Sequence, residues 1–305
     1  MLTDIRNVPT EELMAQKWTY SGKFPKIAIL MITHNRLAYT KKALSHLLRY
    51  TDVTSPPFDL YIVDNASTDQ TREYLKSLND KRIVDITFNQ TNRALSSVTN
   101  EFWYRCLDKG YDLVGKVDND TLVPRSWLYN MVRTHEASNC FGALGCFSFD
   151  YYEDFDFDFS KNAIRQFGKR AALLQPYIGG CAYTIKTWVV QHVGYLPENI
   201  FLEKDGKSIE RIIYGWDWWE SAASKSGFVH GYLYPFLCAE HMDDPMSYNC
   251  LLDKDPGVTE LARRNAEQRE LQYSKANINA WIRENARKLF SVFPCNSKFG
   301  KRLYK

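Results

Sequence analysis

The sequence predicts an open α/β/α sandwich around a mostly parallel sheet, followed by a helical C-terminal extension. Three observations carry this reading. Apolar runs of strand length recur four times between Lys26 and Val117, the segments between them show helical spacing, and the last fifty or so residues change in pattern and charge. Strands joined through helices pair in parallel by right-handed crossovers, which is a Rossmann-like arrangement.

Each element has its own signal. Lys26 to Ile32 is a near-continuous apolar run, the pattern of a strand covered on both faces, and Thr33-His34-Asn35-Arg36 breaks it. Between Thr40 and Leu48, Ala43, Leu44, Leu47 and Leu48 recur at three- and four-residue intervals and mark one face of a helix. The turn Thr54-Ser55-Pro56-Pro57 leads to a second strand, Phe58 to Val63, which ends at Asp64-Asn65. Ser67 with Gln70 three residues on reads as a capping box that opens a helix through Leu78. A strand from Ile83 to Phe88, a helix from about Ser97 to Leu107 closed by Gly110, and a strand from Tyr111 to Val117 complete the pattern.

The second half is less periodic. Asp150 to Phe159 alternates acids with rings, either as a strand with one buried face or as a lid over substrate. Gly179-Gly180 reads as a turn entering a strand through Ile185, and Gly215 as the start of a short helix that stops at Gly227. An apolar run from Tyr232 to Cys238 ends at Glu240-His241. From Asp255, an N-cap followed by Pro256, the chain reads as helical to about Phe290, with Ile278, Trp281, Ile282 and Leu289 on one face. From residue 254 onward, twelve Lys and Arg face five Asp and Glu, while the whole chain carries only +3, so the remainder is slightly acidic.

With 45% apolar and 25% charged residues among 305, the composition excludes wholesale disorder and a membrane bundle. A net charge of +3 does not call for nucleic acid as a partner. The 14% aromatic content serves a core first and sugar or base stacking second. Seven scattered cysteines with no C-x-x-C spacing point to reduced thiols in a cytoplasmic setting, and no leader or membrane-spanning stretch is expected.

In parallel α/β sheets, ligands sit at the carboxyl ends of the strands. Those ends carry Thr33 to Arg36, Asp64-Asn65, Asn89 to Arg93 and Asp118-Asn119-Asp120. Neither G-x-G-x-x-G nor a P-loop follows the first strand, so any phosphate must be neutralised by other means. Asp118 and Asp120, directly after a buried strand, are placed to hold a hard divalent cation beside a diphosphate, where a Lewis acid stabilises the charge of a leaving nucleoside diphosphate.

The ordered runs KIAILMITHNRLAYTKKALSHLL, YIVDNASTDQT, FNQTNRA and VGKVDNDTLVP resemble the GT-A-fold inverting glycosyltransferases of family two. So do IGGCAYTIKTWVVQHVGYLPE, GWDWWESAASKSGF and the terminal His241, and the resemblance covers about residues 25 to 245. It implies a GT-A domain over 25–250, with a nucleotide-binding half at 25–123 and an acceptor half at 124–250. A lead-in of 1–24 precedes it and a basic helical extension of 251–305 follows. It also implies that Thr33, Asn35, Arg36 and Asp64 hold base and ribose. Asp118 and Asp120 would form the diphosphate and metal site for Mn2+ or Mg2+, with Asp120 the direct ligand and His241 a distal one.

Inversion needs a base to take the acceptor proton as it attacks opposite the diphosphate, and Asp217 resembles that carboxylate. The usual acidic pair is here Trp216-Asp217, which leaves Glu220 as the alternative. Trp216 and Trp218, with Gly179 and Gly180, are expected on the sugar and acceptor side, the rings serving partly as a stacking platform and partly as core. Arg93 replaces the usual glycine of the N-x-G segment, either to contact phosphate or as a surface side chain, and Lys225 alone stands for the basic residue of the following helix.

The implied activity is metal-dependent, inverting transfer of a sugar from a nucleoside diphosphate donor, UDP-linked, to the hydroxyl of a glycan or other acceptor. The alternatives are a sugar-nucleotide nucleotidyltransferase, disfavoured by the glycine-free loop after the first strand, and a nucleotide- or carbohydrate-binding pseudoenzyme. The basic tail is either a helical brace or a contact to an anionic surface, which would make the protein peripheral to a membrane.

Overall fold

The computed structural model describes residues 9–50, 56–147, 164–204, 207–212, 215–234, 237, 239–243 and 249–252. The acid and ring alternation of 150–159 and the basic extension from residue 253 lie outside the described residues.

In chain order the elements begin with α1 (Thr10–Ala15), β1 (Ile27–Thr33), α2 (Leu37–Tyr50), β2 (Asp59–Asp64), α3 (Thr71–Lys76) and β3 (Ile83–Phe88). They continue with α4 (Leu95–Asp108), β4 (Leu113–Val117), β5 (Thr121–Leu122), α5 (Trp127–Ala137) and β6 (Phe141–Gly145). The second half holds β7 (Ile164–Phe167), β8 (Arg170–Gln175), β9 (Ala182–Lys186), α6 (Thr187–Val193) and the hairpin β10 (Asn199–Lys204) and β11 (Lys207–Ile212). α7 (Trp216–Lys225), β12 (Val229–Tyr234) and β13 (Glu240–His241) close the described chain.

Nine strands form one sheet in the order β3-β2-β1-β4-β9-β6-β12-β8-β7. The β1 to β4 portion is parallel throughout, as the sequence predicts, and across the whole sheet only β9 and β8 run against the other strands. Alternate residues of β1 supply the two cores. Ile27, Ile29 and Met31 pack with Ala43, Leu44 and Leu47 of α2, Leu75 of α3 and Met131 of α5. Ala28, Leu30 and Ile32 pack with Phe102 and Trp103 of α4, Val189 of α6 and Trp219 of α7. Helices therefore cover both faces, which is why β1 reads as a continuous apolar run. At the centre of the sheet, β4 passes between β1 and β9 at Gly115, where a Cβ would lie 2.7 Å from the Tyr183 carbonyl oxygen and 2.8 Å from Ile29 Cδ1. Only glycine allows that approach.

Two expectations are corrected. The capping box at Ser67 is not formed, because its Oγ accepts the backbone N–H of Asn35 at 2.7 Å instead, and α3 starts at Thr71 and ends at Lys76. The last long strand starts at Val229 rather than Tyr232, because the buried and polar His230 belongs to it, with Nε2 3.0 Å from the Glu220 carbonyl oxygen.

Lys186, the last residue of β9, is fully buried, and its ammonium donates to the Ser138 carbonyl at 2.8 Å and Asn139 Oδ1 at 2.6 Å. Burial pulls its pKa down to about 7, opposed only in part by Cys140. No helix among the described residues is long and apolar enough to cross a membrane.

Candidate active site

The carboxyl ends of β1 to β4 meet along one edge and are tied together by side chains of their own loops. Asn65, after β2, accepts the Asn89 amide at 2.9 Å and the Arg93 N–H at 3.0 Å, and its own amide donates to Asn92 Oδ1 at 2.7 Å. Asn35 Oδ1 accepts the backbone N–H groups of Thr68 and Asp69 at 2.8 and 3.3 Å. Thr33 is buried, with Oγ1 2.7 Å from Thr40 Oγ1, and Asn119 donates to both hydroxyls at 3.2 Å. The polar atoms of Thr33 and Asn35 thus serve the loops that frame the cleft. Arg93 is exposed and forms an ion pair with Glu101 at 2.8 Å.

Asp64 is fully buried. Its Oδ2 accepts from Arg72 Nε at 2.7 Å and from the Ser67 N–H at 3.2 Å, while its buried Oδ1 takes no hydrogen bond among the described residues. A buried acceptor left open in this way costs about 1–3 kcal/mol unless a ligand supplies a donor.

After β4, the two aspartates diverge. Asp118 pairs with Lys116, a nearly buried cation on β4 that also reaches the Gly180 carbonyl at 3.4 Å. Burial raises the Asp118 pKa, with Lys116 acting in opposition. Asp120 has other partners. Its Oδ2 accepts from Arg36 Nη1 at 2.9 Å, and its Oδ1 lies 3.5 Å from His241 Nε2. Burial works to raise its pKa, but His241 and Arg36 outweigh that and hold it below the usual range.

His241 reaches Asp120 because β13 pairs with β5 as a two-stranded ribbon, placing His241 opposite Thr121. The same turn carries Asp243, whose carboxylate takes the second arm of the Arg36 fork. One ligand atom each from Asp120, His241 and Asp243 lies within 4.8 Å of the others. Asp118 does not join this group, and Asp243 enters it without having been singled out in the sequence. Its signal was the H-x-D spacing, which brings two ligand-type residues together at the end of a short strand. Lys116 was likewise missed, although a lysine inside an otherwise apolar strand needs a partner.

On α7 the candidates separate by burial. Asp217, in the first turn, is exposed, whereas Glu220 is fully buried and accepts the Ile178 N–H at 2.9 Å. Trp216 is buried, stacked at 4.0 Å on Tyr183, and donates from Nε1 to the Ile178 carbonyl at 2.9 Å. Of the two rings assigned to sugar, Trp216 is therefore core, and Trp218, 54% exposed, presents a face to solvent. Tyr232 accepts the Gly179 N–H at 2.7 Å, so Glu220, Trp216 and Tyr232 together hold the Ile178 to Gly180 turn. Lys225, in the last turn of α7, is exposed.

The chain from β1 into α6 matches a known family. Residues 28–189 fit the model of glycosyl transferase family 2, and the chain belongs to that family. Among solved structures it is similar to a mannosyltransferase, PcManGT from Pyrobaculum calidifontis in complex with GDP-Man and Mn2+, at 16% identity over 95% of this chain and 72% of that one, with a TM-score of 0.54. It is also similar to GalNAc-T7 with UDP, GalNAc and Mn2+, at 12% identity over 73% of this chain and 44% of that one, TM-score 0.53. S. aureus TarS 1-349 matches at 14% identity over 83% of this chain and 73% of that one, TM-score 0.51. At these identities the likeness establishes the GT-A fold. No curated protein matches the sequence.

Proposed function

We propose that the protein transfers a sugar from a nucleoside diphosphate donor, UDP-linked, to an acceptor hydroxyl with inversion, using Mn2+ or Mg2+ held by Asp120, His241 and Asp243. The observation that carries the reading is the convergence of those three side chains at the carboxyl edge of the sheet in a chain of this family. Two carboxylates and an imidazole within 4.8 Å fit a hard to borderline divalent ion. When bound, such an ion supplies Lewis-acid stabilisation to a leaving diphosphate.

The chain's own residues do the rest. Asp64 Oδ1, the buried acceptor without a donor, is suited to an N–H or O–H of the nucleoside. Lys116 neutralises Asp118, so that strand end adds little net charge against a diphosphate. Asp217 acts as general base and removes the acceptor proton as its oxygen attacks the anomeric carbon. Its exposure in the first turn of α7 supports this over Glu220, whose carboxylate is committed to the Ile178 turn. Trp218 offers the ring on which an acceptor sugar would stack.

The test is a thermal-shift screen of UDP- and GDP-sugars with and without Mn2+, followed by product analysis. A ligand bound only to the folded state raises its stability by RT ln(1 + [L]/Kd). Stabilisation by one donor class that needs Mn2+ and disappears in Asp120→Asn supports the proposal. Binding without any released nucleoside diphosphate would instead favour the pseudoenzyme.

A further inference from the structure

The cluster proposed to hold a metal already contains a cation. Arg36 bridges Asp120, through Nη1 at 2.9 Å, and Asp243, through Nη2, two residues that lie 84 and 207 positions away along the chain. Its guanidinium also stacks on Tyr39, 3.8 Å from the ring centroid. The oxygens it uses belong to the same carboxylates that a divalent ion would need. An arginine on one oxygen of each carboxylate and a divalent ion on the same carboxylates would place like charges a few ångströms apart in a largely desolvated site, so each weakens the other's hold.

The arm is carried on a left-handed stretch of backbone. Asn35 and Arg36 are consecutive non-glycine residues at φ 54° and 62°, in the left-handed region, where each costs roughly 1–2 kcal/mol. Arg36 stands just after β1, at the edge where donor phosphates bind in sheets of this kind. A planar guanidinium fork that fits two carboxylates fits a diphosphate equally well.

Resting on the metal reading above, we propose that Arg36 is the resident counter-cation of Asp120 and Asp243, and that it couples metal to donor by transferring from these carboxylates to the donor diphosphate. Metal alone then competes with Arg36 and binds weakly. A diphosphate that draws the guanidinium away frees the carboxylates, so metal and donor strengthen each other by the same factor, as linkage requires.

The test titrates the full-length protein with Mn2+ alone, following free Mn2+ by electron paramagnetic resonance, and repeats it in UDP and in GDP with Asp120→Asn as the blank. Arg36→Met keeps an apolar stem against Tyr39 and removes the charge. We expect it to bind Mn2+ about 5–150-fold more tightly than wild type, the usual span of coupling between sites. Nucleotide should tighten Mn2+ binding to wild type by a larger factor than to Arg36→Met, where only the direct contact between metal and diphosphate still couples the two. Arg36→Lys, which keeps a charge but cannot bridge two carboxylates with a fork, should fall between, and it decides the matter if Arg36→Met does not fold. Equal Mn2+ affinity in wild type and in the folded Arg36 variant, with binding abolished in Asp120→Asn, would overturn the counter-cation role and leave the metal site standing. Mn2+ binding no stronger in wild type or the Arg36 variants than in Asp120→Asn would remove the metal reading and this proposal together.

Discussion

Asp217 and Glu220 stand three residues apart on α7, and their surroundings give them opposite sensitivities. Glu220 lies about 4.5 Å further along the helix axis, is fully buried, and satisfies the Ile178 N–H at 2.9 Å. Glu220→Leu puts an apolar side chain of similar size in place of the carboxylate and orphans that N–H, at about 1–3 kcal/mol. For a domain of this size each kcal/mol moves Tm by roughly 2–4 °C, so a fall of about 2–12 °C is expected. Glu220→Gln retains an acceptor and should stay within about 1 kcal/mol of wild type. Asp217→Asn gives up an exposed carboxylate near a helix N-terminus, a change of under about 1 kcal/mol, while removal of a positioned base lowers turnover by about 10²–10⁴-fold. Thermal unfolding followed by circular dichroism, paired with release of nucleoside diphosphate per folded molecule, separates the two. Loss of transfer in Glu220→Gln at unchanged Tm, with Asp217→Asn near wild type, would refute the reasoning and make Glu220 the base.

Asp120→Asn should fold, because Arg36 keeps Asp243, yet lose the joint stabilisation by Mn2+ and donor nucleotide; full wild-type turnover in chelator would exclude the metal. His241→Ala should lose less, since two carboxylates remain in the cluster. Lys186 has a folded pKa of about 7, below its ordinary 10.5, so the unfolded chain holds more protons between those values and stability should rise with pH across that window. Chemical denaturation at pH 7 and pH 9.5 should show wild type gaining on Lys186→Met by a few kcal/mol at most, since each tenfold loss of proton affinity on folding is worth about 1.4 kcal/mol; a flat difference would show that burial does not disfavour the charge. At Gly215 a Cβ would lie 2.4 Å from the Pro197 carbonyl oxygen, so Gly215→Ala should cost about 1–3 kcal/mol and displace the first turn of α7, lowering turnover together with Tm. An unchanged Tm there would mean that the turn is not held against Pro197.

The β1 to β4 half was legible because buried parallel strands leave continuous apolar runs and their crossover helices leave three- and four-residue spacing. The carboxyl ends then followed from topology, and the resemblance singled out Asp64, Asp120 and Arg36 among the residues there. What the sequence hid was long-range and polar. The β5 and β13 ribbon has two residues per strand, too few for any periodicity, so the neighbour of His241 was invisible and Asp243 went unnoticed. Ser67 carried a genuine local signal, but a contact to Asn35 32 residues away in sequence took its hydroxyl. Trp216 and Trp218 are alike in type and differ in exposure only because of the helix phase against Tyr183. The sequence places Asp118 and Asp120 together at one strand end and says nothing of their partners. The lysine two residues earlier claims one, and an arginine from another loop claims the other.

The reach of Arg36 to Asp243 has a consequence for how the protein is made. At about 5–20 residues per second, synthesis of the 123 positions from Asp120 to Asp243 takes roughly 6–25 s. By the start of that interval β1 to β4 and their crossover helices have been made and Asp120 has Arg36 as a partner, while α5, α6, α7 and β9, which complete the two cores and the sheet, follow within it. The carboxyl edge of β1 to β4 is therefore synthesised well before the ribbon bearing His241 and Asp243 can dock. The cluster of Asp120, His241 and Asp243 is completed late, and a chain arrested before residue 240 would carry the strand ends without two of its three members.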